Sequence, residues 1–155
     1  MKFWLVCVMS FVLGACASPS LKPAHMEHLG DLQKYRYVLI EDVPTMSAAR
    51  VINGQGFTQE LIPTQLIEGM LLKKGLVRVA KPAPAFLDTL LLAKWGISGK
   101  RDVSGLISNG YTQEVTIRLM SADTMMPVFV CSAEGFGSTE VDDIREAITR
   151  CLAGL

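Results

Sequence analysis

The sequence predicts an α+β fold, a single mixed sheet with helices packed on it. Three observations predict it. Tyr111 to Met120 alternates, with Val115, Ile117 and Leu119 on one side and Glu114, Thr116 and Arg118 on the other, as in a strand with one wet face. Val141, Ile144, Ala147, Ile148, Cys151, Leu152 and Leu155 recur at helical spacing and form one apolar stripe. Between the N-terminal run and these elements, short branched and aromatic stretches alternate with turn residues, which suits a sheet with helices on a face.

Taken in order, Tyr35-Arg36-Tyr37-Val38-Leu39-Ile40 reads as a strand, central because Tyr37 to Ile40 is unbroken by polar residues. Val43 to Gln59 is a long polar connection with an Asn53-Gly54-Gln55-Gly56 turn cluster, either a short edge strand or a mobile segment. Leu61 to Lys74 reads as a helix: Pro63 suits a first turn, Leu66, Ile67, Met70 and Leu71 make an apolar face, and Gly75 stops it. Leu76 to Ala80 is a short strand, and Lys81 to Ala85 a rigid connection. Thr89 to Trp95 is a further strand candidate, with a helix over Phe86 to Ala93 as the alternative. Gly96 to Gly110 is a Gly- and Ser-rich loop. Met126 to Glu134 returns as the hairpin partner of Tyr111 to Met120 across Ser121 to Thr124. Thr139 caps the last helix, with Glu140, Asp142 and Asp143 in its first turn where negative charge is favoured. The expected order is β-α-β-β-β-β-α, one globular domain over 35–155.

The N-terminus is of another kind. Met1-Lys2 is a charged start, Phe3 to Val12 is apolar apart from Ser10, and small residues follow from Gly14 to Ser18. This is the three-part layout of a secretory signal. Spanning a membrane takes about 20 apolar residues, and this run meets Ser18-Pro19-Ser20 too early. Leu13-Gly14-Ala15-Cys16 resembles the lipobox of bacterial lipoproteins. That resemblance implies a diacylglycerol thioether on Cys16 and cleavage just before it. Residues 1–15 are then a signal peptide and 16–34 a lipidated N-terminus and tether. A chance Cys behind an ordinary signal is the plain alternative. Ala17 and Ser18 stand where an Asp tends to retain enteric lipoproteins in the inner membrane, so the expected place is the outer membrane, facing the periplasm.

The lipobox, the element order and a helix ending in Lys73-Lys74-Gly75 together resemble the small periplasmic lipoprotein domains related to CsgG of curli secretion, to the penicillin-binding-protein activator LpoB and to the N-terminal domain of TolB. The likeness covers about residues 35–155. It implies a non-enzymatic binding or assembly module with a protein partner or with copies of itself. The chain lacks the long amphipathic insertion through which the curli protein forms its pore.

Charge and chemistry narrow the function further. Acidic and basic residues balance at 15 each, so the basic excess of a nucleic-acid binder is missing. His25 and His28 could share a helical face and hold a metal, but two ligands are too few and the chain has only 2 His; no metal or cofactor is expected. Gly96-Ile97-Ser98-Gly99-Lys100-Arg101 departs from the Walker spacing and reads as a loop, at most a basic contact for lipid headgroups, glycan or a partner. A nucleophile needs an activating base, and both His lie in the expected tether. A peptidoglycan or glycan hydrolase using Asp88, Asp102, Glu114 or Glu134 is the alternative function. Cys131 lies on a strand and Cys151 on the inward stripe of the last helix. They read first as two small buried thiols, and second as a disulfide formed in an oxidising compartment. Trp95 is expected as a core or strand-end anchor, and Met125 and Met126 at the hairpin turn.

Overall fold

The computed structural model describes residues 20–103 and 110–155. Its eight strands are β1 (His25–His28), β2 (Tyr37–Ile40), β3 (Met46–Ile52), β4 (Gln55–Leu61), β5 (Val77–Arg78), β6 (Leu90–Asp102), β7 (Tyr111–Ser121) and β8 (Pro127–Gly135), and its helices are α1 (Pro63–Lys73) and α2 (Glu140–Ala153). The main sheet has the order β1-β8-β7-β6-β2-β5; β3 and β4 pair separately. Strand β2 runs parallel to β5 and β6, while β6, β7, β8 and β1 are antiparallel neighbours. The fold is α+β, a mixed sheet with helices on one face.

The predicted alternation decides which face is covered. Val115, Ile117 and Leu119 of β7, with Phe129, Cys131 and Ala133 of β8, are buried beneath the stripe Val141, Ile144, Ala147, Ile148, Cys151 and Leu152 of α2. Ile67 and Leu71 of α1 close the same core beside Val38 and Ile40 of β2. Close approach is needed where α2 crosses the end of β8. A Cβ on Gly135 would lie 1.8 Å from the Asp143 carbonyl oxygen and 2.6 Å from the Ala147 nitrogen. The opposite face of the sheet carries Lys94, Thr116, Arg118 and Ser132, and both helices lie away from it.

Helix α2 starts as its sequence requires: Thr139 is extended and its side chain accepts from the Asp142 N–H. Asp143 in the same first turn is buried and accepts from the Gly137 N–H. Burial, the largest influence, pushes its carboxyl above the usual range.

Three expectations are corrected. Residues from Ser20 onward are no tether: β1 adds to the sheet edge with His25 opposite Ser132 and His28 opposite Phe129. Its four residues are exposed on both sides, so backbone pairing and not apolar pattern holds it. Val43 to Gln59 holds a hairpin, turned at Asn53 (φ 53°) and Gly54 (φ 77°), the left-handed pair that a two-residue turn requires. The loop expected over Gly96 to Gly110 is strand as far as Asp102, and residues 104–109 lie outside the described residues. The strand read over Thr89 to Trp95 is the start of β6, entered from a 3-10 turn over Pro84–Thr89, and the alternative helix over Phe86 to Ala93 does not form. Trp95 is partly buried against the core, and Met125 and Met126 are exposed at the β7–β8 turn, as expected.

Candidate functional surfaces

Glu134 is the most constrained charge of the described residues. It lies on the open face of β8, opposite Glu114 of β7, yet its side chain is only 3% exposed. Arg101 of β6 grips it with two bonds, Nε to Oε1 at 2.8 Å and Nη2 to Oε2 at 2.6 Å. Lys22 adds its backbone N–H at 3.1 Å and its ammonium at 3.3 Å. The Arg101 bonds, foremost, hold the Glu134 carboxyl down to about 2.

A local irregularity puts Arg101 there. The register of β6 on β7 shifts by one residue between Ile97 and Gly99. Such a bulge exchanges the faces of every residue beyond it. Continued without it, the alternation would turn Lys100 to the open face and Arg101 to the core side.

The cluster also fastens the N-terminal segment. Arg101 donates to the Ser20 carbonyl at 3.2 Å, and Arg150 of α2 donates to the Lys22 carbonyl at 2.7 Å and to the Glu134 carbonyl. The chain is therefore held from Ser20 onward. Cys16 lies outside the described residues.

The hairpin β3–β4 is a second distinctive surface. Its base is seated: Leu61 is buried, and Gln59 donates to Asp142 and accepts from the Thr139 hydroxyl at the start of α2. The Ser138 hydroxyl, Gln59 and Arg145 converge on Asp142 and lower its carboxyl pKa, Ser138 most. Beyond the base the ribbon projects with Val51 72% and Phe57 51% exposed. A two-stranded ribbon is marginal in water by itself, so two bare apolar side chains at its end suit a contact.

The candidate catalytic and metal residues do not assemble. Asp88 precedes β6 and Asp102 ends it, so the length of that strand separates them. Glu114 and Glu134 are neighbours, but Glu134 is locked in its ionised form by Arg101 and is no proton donor. The arrangement is chemically an ion cluster that ties strands together. His25 and His28 fall on opposite faces of β1, because their spacing of three is odd on a strand. Among the described residues no group of three or more His, Cys, Asp or Glu side chains could hold a metal. Cys131 and Cys151 are joined as a disulfide, with Cα atoms 5.6 Å apart, in place of the two free thiols read first. The Glu134–Arg101–Lys22 cluster and the hairpin were not singled out from sequence. The Asn53-Gly54 turn pair was the available signal for the hairpin, and the cluster had none.

A six-stranded mixed sheet covered on one side by two helices, with a projecting ribbon, is the structural class these observations define. Solved structures of PelC from Paraburkholderia phytofirmans are similar to this chain in overall fold. A PelC dodecamer is similar with a TM-score of 0.52 at 13% identity, over 86% of this chain and 95% of that one. A single-substitution variant of the dodecamer is similar with a TM-score of 0.50 at 11% identity, over 84% and 93%. No family model and no curated protein sequence matches the chain. At such identities the likeness is one of fold.

Proposed function

We propose that this chain is a lipid-anchored envelope protein, a non-enzymatic assembly module whose copies join one another in the periplasm. The observation that carries the reading is the fold shared along nearly the whole length of a protein crystallised as a dodecamer. The hairpin β3–β4, with Val51 and Phe57 bare, is the surface of this chain best suited to a neighbouring copy. The LGAC stretch ending at Cys16 supports the anchor, and the pattern of Ala17 and Ser18 supports the outer membrane. The resemblance to the CsgG, LpoB and TolB group belongs to the same reading.

Cys16→Ala in the full chain tests the anchor. The variant is expected to move from the membrane pellet to the soluble envelope fraction. Equal retention of variant and wild type in the pellet would show that lipid on Cys16 is not what holds the protein.

A further inference from the structure

We propose that the end of the sheet carrying Ser20, Lys22, Lys100, Arg101 and Tyr111 rests against a phospholipid surface, so that the strands β6, β7 and β8 stand on the membrane and the β7–β8 turn points away from it. The proposal rests on the lipid anchor at Cys16.

The length of the leash is the first argument. Ser20 is the fourth residue after Cys16. Four fully extended residues reach at most about 14 Å. A lipidated Cys16 sits at the headgroups, so the Ser20 carbonyl, held by Arg101, lies within that distance of them. The antiparallel pairing of β6 with β7 runs from Leu91–Ser121 to Asp102–Tyr111, a span of roughly 35 Å at the rise of a strand. The end of the sheet nearest Ser20 is therefore the one that the leash holds at the membrane. An expected tether would have allowed any orientation; a chain fastened from Ser20 does not.

The chemistry of that end is the second argument. Lys22 and Arg101 flank the Glu134 carboxylate there, and Arg150 donates to the Glu134 and Lys22 backbone carbonyls. Lys100 lies over the ring of Tyr111, 4.4 Å from its centroid, and Tyr111 is exposed. Cations beside an exposed aromatic ring suit the headgroup layer, and each cation near an anionic surface adds to the attraction. Glu140, Asp142 and Asp143 lie at the same end on the helix layer; Lys100 and Tyr111 share a cavity with Glu140 and Asp143, and Arg145 pairs with Asp142.

The test uses the full lipidated chain in vesicles of phosphatidylethanolamine and phosphatidylglycerol that include a headgroup spin-labelled lipid. Tyr111→Trp and Asp123→Trp each add one fluorophore, at the two ends of the sheet, and each is compared with wild type. Quenching of the added Trp is expected to be at least severalfold stronger at position 111 than at 123. Equal quenching, or stronger quenching at 123, overturns the orientation while intact mass still reports lipid on Cys16. A chain whose mass carries no lipid on Cys16 overturns the orientation and the anchor together.

Discussion

Replacing Cys131 and Cys151 together by alanine lowers the stability of the domain by about 3 kcal/mol, the loss expected for opening a cross-link that closes a loop of this length. The two residues are 20 apart in sequence. For a domain of this size that corresponds to a fall in melting temperature of roughly 10 °C. The disulfide joins the centre of β8 to the inward stripe of α2, so it cross-links the two layers through the core. Alanine leaves the site apolar, which separates the cross-link from the cost of burying a polar group. Thermal unfolding with and without reductant measures the effect. Wild type in reductant and the double variant should melt at similar temperatures, both below oxidised wild type. Two free thiols per chain on denaturation without reductant, beyond any at Cys16, would contradict the bond.

Glu134→Gln costs about 2 kcal/mol at pH 7 and almost nothing near pH 2. Its folded carboxyl is held at about 2 against an ordinary 4.5. A carboxyl depressed on folding stabilises the native state above its unfolded pKa, and that contribution is lost as pH falls from about 4.5 toward about 2. The full shift corresponds to about 3 kcal/mol. The exposed flank of Arg101 and the solvated Lys22 ammonium reduce that through solvent screening. Asp142 acts in the same direction and Asp143, with a raised carboxyl, in the opposite one. The informative quantity is therefore the difference between wild type and variant in denaturant titrations across pH. It should be constant above about pH 5.5 and close below pH 3. A gap that stays the same from pH 7 to pH 2.5 would show that the ion cluster contributes nothing to stability.

Much of the fold was legible where burial imposes a period. Helix α2 announces itself because its apolar stripe, Thr139 cap and acidic first turn agree. The β7–β8 hairpin does so because one face is core and the other polar. The faces of Cys131 and Cys151 followed from those same patterns, although spacing alone left their pairing open. Strand β1 was not legible. His25-Met26-Glu27-His28 is exposed on both sides, so no alternation is imposed, and backbone hydrogen bonds to β8 with a His28–Phe129 ring contact order it. The bulge after Ile97 was equally silent, and with it the partner of Glu134: Arg101 is 33 residues away and faces Glu134 only because one residue is inserted. Long-range charge pairs leave no local signal. The surfaces proposed here to meet a membrane and a neighbouring copy became visible once the N-terminal segment was placed on the sheet.

The central claim, a lipid-anchored subunit that assembles with its own copies, is tested most directly by native mass spectrometry of the full-length protein extracted from membranes in mild detergent. The expected spectrum holds a homo-oligomer whose ejected subunits each have the mass of residues 16–155 plus lipid. A monomer with an unmodified Cys16 would contradict the account.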